Sequence, residues 1–217
     1  MKAPLHACLF IVACLFAQSC SWQRSSAHEA REFSRYHEPA IHSASRVVLM
    51  PVFLDSGIGT SARSMDHSLI RALTELNHFE ILQASIADRD QLFPEDPLRS
   101  NRLSQDSLRH TRDTFGADAV ILARINHWQS FDPVALSITI AMVDCRNGSV
   151  LWTASGMWDS ALRNTQDDIK EWFQHRRGSG NVPLGGWRSV LSSPSVFSRY
   201  VSDRLAASVL SPPDGHR

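Results

Sequence analysis

Val47-Val48-Leu49-Met50-Pro51-Val52-Phe53-Leu54, followed by Asp55-Ser56-Gly57-Ile58-Gly59-Thr60, is an apolar, largely β-branched run closed by turn-forming residues. Such a run reads as a buried strand, and the glycine-containing stretch after it as a loop. Pro51 has no N–H to give to a ladder, so the strand is either at an edge or distorted there. Beyond the loop, Met65, Leu69, Ile70, Leu73 and Leu76 recur at helical spacing, and Asn77 marks the stop. Phe79-Glu80-Ile81-Leu82 then reads as a second strand. The opening of the domain is therefore strand, helix, strand.

The pattern continues toward the C-terminus. Residues 86–103 are polar, contain Pro94 and Pro97, and read as a surface loop. Ser104 to Phe115 reads as a helix capped by Gly116. Three strands follow in quick succession. Ala119 to Ala123 leads on to Trp128, and Val134 to Val143 alternates through Leu136, Ile138, Ile140 and Met142. Asn147-Gly148 is a hairpin dipeptide, after which Val150-Leu151-Trp152 opens the next strand. Gln166 to His175 fits a helix with Ile169, Trp172 and Phe173 on one face, although 161–193 as a whole reads as an irregular insertion, with Gly178-Ser179-Gly180 and Gly185-Gly186 bracketing a loop that carries Trp187. Ser195 to Leu210 closes the domain as a helix. This order predicts an α/β (α+β) fold, a mixed sheet of about five strands flanked by three to four helices, within a single domain over 46–210.

Working back from the first strand, residues 20–45 are rich in Ser, His, Arg and Glu and read as a flexible tether, while 211–217 read as a disordered tail. The first residues have a different character. Met1 and Lys2 give a positive start, and Leu5 to Ala17 is nearly continuous apolar sequence, short for a bilayer span but right for an export signal. Ala17-Gln18-Ser19-Cys20 closes it with the small residues a signal peptidase accepts. Residues 1–19 therefore read as a signal peptide, cleaved between Ser19 and Cys20.

Composition narrows the function classes. The 22 Lys and Arg balance the 22 Asp and Glu, so no strong basic field exists to draw in nucleic acid. Of four cysteines, Cys8 and Cys14 lie in the signal and Cys20 at its end, leaving Cys145 in a strand pattern as a small buried hydrophobe.

Ala17-Gln18-Ser19-Cys20 also resembles the lipobox of bacterial lipoproteins, although the family prefers Leu where Ala17 stands. The resemblance implies a diacylated Cys20. By the sorting rule of enteric bacteria, Ser21 after Cys20 implies the outer membrane. The domain resembles a superfamily of bacterial envelope lipoproteins that includes CsgG, LpoB and the TolB N-terminal domain. Three stretches carry the likeness: Met50 to Gly57 with the helix and strand to Ser85, Phe115-Gly116-Ala117-Asp118-Ala119-Val120-Ile121, and Asp144-Cys145-Arg146-Asn147-Gly148-Ser149-Val150-Leu151-Trp152. They span residues 46–160. The sequence departs in having Val52 between Pro51 and Phe53, and 161–193 matches nothing in the family. No pair of long amphipathic strands of the pore-forming kind is present, which argues against a channel like CsgG. The resemblance implies a TolB N-terminal/LpoB-like fold and a periplasm-facing domain that binds other envelope proteins.

Gly57-Ile58-Gly59-Thr60-Ser61-Ala62 fits a phosphate-binding G-x-G-x-x-A between strand and helix, but Gln83, Ala84 and Ser85 stand where an acid for the ribose is needed. A flexible loop accounts for it better. His37-Glu38 with His42 is a near miss for a zinc-protease motif, since the gap is five and Pro39 prevents the helix. No catalytic residue, metal site or cofactor is indicated. Trp172 and Trp187, in the least regular stretch, are the candidate partner contacts. The expectation is a membrane-anchored, non-enzymatic protein-binding or assembly factor of the envelope, with homo-oligomerisation open. The alternatives are an exported nucleotide-binding protein or enzyme using Gly57–Ala62, and a subunit of a secretion or transport assembly.

Overall fold

The apolar run at Val47 becomes the middle of the sheet. The computed structural model describes residues 33–177 and 185–210. Its strands are β1 (Phe33–His37), β2 (Arg46–Leu49), β3 (Phe53–Leu54), β4 (Glu80–Gln83), β5 (Ala119–Gln129), β6 (Ala135–Asp144) and β7 (Val150–Asp159). They form one seven-stranded sheet in the order β1-β7-β6-β5-β2-β4, with β3 also pairing with β5. β2 runs parallel to β4 and β5, while β6, β7 and β1 continue the sheet antiparallel.

The helices are α1 (Ser64–Glu75), α2 (Ile86–Leu92), α3 (Pro97–Ser100), α4 (Gln105–Phe115), α5 (Arg163–Arg177), α6 (Arg188–Ser192) and α7 (Pro194–Leu210). α1, α5, α6 and α7 bury Leu69, Ile169, Trp172, Val190, Phe197, Tyr200 and Leu205 against one face, together with Ile121, Ile138, Ile140 and Trp152 of the sheet. A smaller core on the other face joins Leu92, Phe93 and Leu108 to Val48, Val120 and Leu122. The mixed sheet and its flanking helices are the fold class read from the sequence.

Local chemistry explains the elements. Ser104 caps α4 by accepting the Asp106 N–H at 3.2 Å, and Gly116 ends it at φ 62°, a left-handed value glycine adopts without steric cost. Gly148 takes φ 74° in the β6–β7 turn. At Pro51 the strand is distorted and not at an edge, because β2 lies between β4 and β5. The backbone groups freed by the break find side-chain partners: the Val52 N–H donates to Asp66 Oδ1 at 2.7 Å, and Arg89 Nη1 donates to the Val52 carbonyl at 2.9 Å.

Three boundaries differ from the sequence reading. The stretch assigned to the tether enters the sheet: β1 pairs along β7, Ile41 in the following turn is fully buried, and the Glu38 N–H donates to the Leu151 carbonyl at 2.8 Å. An edge strand with one open face needs few apolar residues, so Phe33-Ser34-Arg35-Tyr36-His37 reads as polar chain. Within 86–103 lie α2 and α3, started by a Ser85–Asp88 capping box and by Asp96. Their helices are too short to display a period. In 161–193, α5 extends over 15 residues and α6 over 5, while 178–184 lie outside the described residues, as do 1–32 and 211–217.

Candidate functional site

The two faces of the sheet are unequally dressed. Cross-strand pairing places Ser137 opposite Met157, Thr139 opposite Ser155 and Ala141 opposite Thr153 on one face. β1 extends it, with Ser34 opposite Ser155 and Tyr36 opposite Thr153. Ser34, Tyr36 and Met157 are exposed, and Ser137, Thr139, Thr153 and Ser155 partly so. The result is a flat, hydroxyl-rich surface with Tyr36 and Met157 as its apolar points. It ends in the edge of β1, the outermost strand of the sheet on that side.

Its inner border is an ion-pair cluster. Arg124, opposite Thr139 on β5, is 8% exposed. Its Nη1 meets Asp96 Oδ2 at 2.9 Å, its Nη2 meets Asp55, and its Nε donates to Asn126 Oδ1 at 3.0 Å. Asn126 Nδ2 in turn donates to Thr139 Oγ1 at 3.0 Å. The cluster ties the loop after β3 and the start of α3 to the sheet. All of these guanidinium bonds are satisfied within the chain, which makes Arg124 a strut.

The motifs of the family resemblance prove structural. Asp118 Oδ2 accepts the N–H groups of Ser45 and Arg46 at 3.0 and 3.1 Å, and Oδ1 meets Arg146 Nη2 at 2.8 Å. Those backbone N–H bonds hold its carboxyl below the usual carboxylate range. Asp144 and Asn147 accept the N–H groups of Arg146 and Ser149 and shape the β6–β7 turn. Cys145 is buried, and desolvation, with Asp144 nearby, pushes its thiol up to about 12.

The glycine loop lacks the close backbone approach of a phosphate cradle: Gly59 sits at φ −64°, and although Gly57 takes φ 102°, nothing in the fold crowds the place of a Cβ there. Asp66 occupies the first turn of α1 instead, its carboxyl raised by burial. A sheet in this order is also not a Rossmann sheet.

Trp172 lies in the core, 5% exposed and edge-on to Tyr200 with ring centroids 5.7 Å apart. Its ring cannot meet a partner while α5 is docked. Trp187 is partly buried beside α6, with Lys170 Nζ 4.8 Å and Arg188 Cζ 5.0 Å from the ring centre. Ser19 and Cys20 lie outside the described residues. His42 comes beside His78, Nδ1 to Nε2 3.3 Å, and its ring lies 5.7 Å from that of His37. His78 follows a different helix in sequence, so spacing could not have paired them. Among the described residues no group of three or more His, Cys, Asp or Glu is arranged to hold a metal ion, and no helix is long and apolar enough to cross a membrane. The open half-sheet escaped the sequence reading too. Its signal lies in the Ser and Thr positions that alternate with apolar ones along Leu136 to Met142, but the polar sequence of β1 does not mark that strand as its edge.

The PelC dodecamer from Paraburkholderia phytofirmans shares this fold: the two chains are 12% identical, the match covers 83% of this chain and 98% of that one, and the TM-score is 0.53. Lipoprotein GNA1162 from Neisseria meningitidis is 17% identical over 63% of this chain and 97% of its own, with a TM-score of 0.43. The LpoB C-terminal domain from Salmonella enterica is 13% identical over 52% of this chain and 82% of its own, with a TM-score of 0.35. No family model and no curated protein sequence matches the chain. The likeness to PelC is one of fold.

Proposed function

We propose that this chain is a membrane-anchored envelope lipoprotein, cleaved between Ser19 and Cys20, acylated on Cys20, and facing the periplasm from the outer membrane. Its domain binds another envelope protein and catalyses no reaction. The observation that carries the binding role is the open half-sheet formed by Ser34, Tyr36, Thr139, Thr153, Ser155 and Met157. An antiparallel half-sheet can leave one face to solvent, and here that face carries small hydroxyl groups with Tyr36 and Met157 among them. A surface of small hydroxyl side chains next to a sheet edge offers both flat contact area and backbone groups for strand addition.

Anchoring supplies the rest of the mechanism. A chain held at the bilayer meets membrane-bound partners at an effective concentration far above its bulk value, so a modest contact suffices. The glycine-loop enzyme is disfavoured by the acid at the start of α1 and by the sheet order. Self-association is the second reading, favoured by the dodecameric state of the fold neighbour, whose chain is matched over 98% of its length.

A photo-crosslinking residue placed at Thr153, in the native host, tests the proposal. Adducts with one discrete envelope protein support it, and adducts with the chain itself support the second reading. The same residue placed at Asp113 on α4 serves as the control. No adduct beyond that control defeats both. The mass of the mature protein reports the acylated N-terminus independently.

A further inference from the structure

Of the six exposed large apolar side chains among the described residues, Phe131, Met157 and Leu162 lie toward one end of the sheet, while Tyr36, Ile86 and Val150 lie elsewhere. Phe131, 70% exposed, stands at the tip of the β5–β6 hairpin, and Leu162, 41% exposed, in the turn after β7. The two turns are tied together by the Ser160 N–H, which donates to the Val134 carbonyl at 2.9 Å, and the second turn is closed by the Leu162 N–H donating to the Asp159 carbonyl at 3.1 Å. Met157, 45% exposed, lies in the third pair from this end, opposite Ser137. Trp128 comes up the hairpin from the other face and is fixed there by its Nε1 donating to Ser61 Oγ at 3.1 Å. One end of the sheet thus carries an apolar tip with a firm base.

The direction of β1 brings a second, independent observation. Phe33 pairs with Gly156 and His37 with Trp152, so β1 starts toward the hairpin end and runs away from it. Chain coming from Cys20 therefore enters the domain on the side of Phe131. The thirteen links between Cys20 and Phe33 span at most about 45 Å. Presenting the hairpin pole to a bilayer needs no doubling back, whereas the opposite pole would use roughly 30 Å of that reach along β7.

We infer that the Phe131 tip is a second membrane contact, seated in the acyl-chain boundary of the leaflet that holds Cys20. The inference rests on the lipid anchor proposed above. Its occupant is a phospholipid surface. Asp132, Asp159 and the exposed Arg163 are charged groups at this end and form no basic cluster, so the contact is made by apolar insertion and not by attraction to anionic headgroups. The lipid on Cys20 ties the chain to the bilayer through a single residue, and a second contact fixes the orientation of the domain. With the hairpin end down, β1 and the open half-sheet stand across the membrane plane, accessible to a neighbouring envelope protein.

The test uses the full-length, acylated protein in phosphatidylethanolamine vesicles whose acyl chains carry bromine. An environment-sensitive fluorophore is attached through Ser130→Cys, beside the intact Phe131, and separately through Ser149→Cys in the β6–β7 turn at the opposite pole. The expected result is at least twofold quenching at the hairpin and none at the turn, unchanged by salt. Adding Phe131→Ser removes half or more of that quenching while the protein still floats with the vesicles. Floating protein with an unquenched hairpin overturns the inference and leaves the anchor standing. A Phe131→Ser variant with altered native size and unchanged quenching assigns the tip to a protein contact and overturns it too. Protein that fails to float defeats the anchor, and the inference falls with it.

Discussion

Trp172 on α5 donates its indole N–H to Asp203 on α7, Nε1 to Oδ2 2.8 Å. Asp203 also receives Arg71 from α1 at 2.8 Å and Arg176 from α5 at 2.7 Å, so a single carboxylate joins three helices. Glu75 closes the network, 2.7 Å from Arg71 and 2.8 Å from Arg176. Trp172→Phe keeps most of the buried area and leaves Asp203 its two guanidinium partners, so a loss of about 1 kcal/mol is expected. Trp172→Ala removes the ring and is expected to cost about 3–5 kcal/mol. Urea unfolding of both variants measures this. A Trp172→Ala protein of unchanged stability that loses only a partner would restore the sequence reading of this residue as a contact.

Arg124 gives a sharper contrast, because its charge is buried and answered by two acids. Arg124→Met leaves Asp55 and Asp96 facing each other across an apolar side chain and is expected to destabilise by about 3–5 kcal/mol. The triple variant Arg124→Met, Asp55→Asn, Asp96→Asn removes the unbalanced charges and is expected to recover most of that loss. A triple variant no better than the single one would mean that the hydrogen bonds, and not the charges, matter here.

How far the sequence reaches is visible in these same residues. The strands with long apolar periods, β2, β5 and β6, and the helices α1, α4 and α7 are legible because each must bury a continuous face, and burial writes a period into the chain. Gly116, Gly148 and Asn77 are legible because positive φ favours few residue types. β1, α2 and α3 are not, since each has too few inward positions to make a period. The Arg124 cluster draws on Asp55, Asp96 and Asn126, and the helix network on Arg71, Glu75, Arg176 and Asp203; such sets are assembled by topology. The open half-sheet was hidden for the same reason: its register pairs residues more than a hundred positions apart, such as Tyr36 and Thr153.

The pH dependence of stability follows from opposed carboxylates. Burial alone would raise Glu75, but hydrogen bonds from Arg176 and Arg71 outweigh it and hold the group below its ordinary range. Asp118 is lowered by the Ser45 and Arg46 N–H groups. A group lowered on folding contributes stability above its unfolded pKa of about 4 and loses it as pH falls through the folded value. Asp66 has the opposite sign: burial raises it, so its contribution is present below the unfolded pKa and lost as pH rises through the folded one. Thermal unfolding between about pH 3 and pH 7 is therefore expected to weaken on the acid side. Glu75→Gln should flatten that limb. Asp66→Asn, whose amide oxygen can still accept the Val52 N–H, should raise the midpoint at neutral pH. A lower neutral midpoint for Asp66→Asn would show that the charge at the start of α1 outweighs the cost of burying it.

Cys145 makes the maturation of the N-terminus countable. On the maturation proposed above, cleavage before Cys20 would remove Cys8 and Cys14 and acylation would block Cys20, leaving a single free thiol out of four cysteines. That thiol is 3% exposed and pushed up to about 12, so almost none of it is thiolate at mild pH, and the thiolate is the reactive form. Protein extracted from its native membrane in mild detergent is expected to leave a disulfide reagent unreacted at pH 8 over minutes, and to release one equivalent once denatured. Two equivalents in denaturant, one of them prompt in the native state, would reveal a cleaved but unacylated Cys20. Four would reveal an intact signal. A single equivalent that reacts promptly in the native protein would instead place Cys145 in a strand end that opens readily.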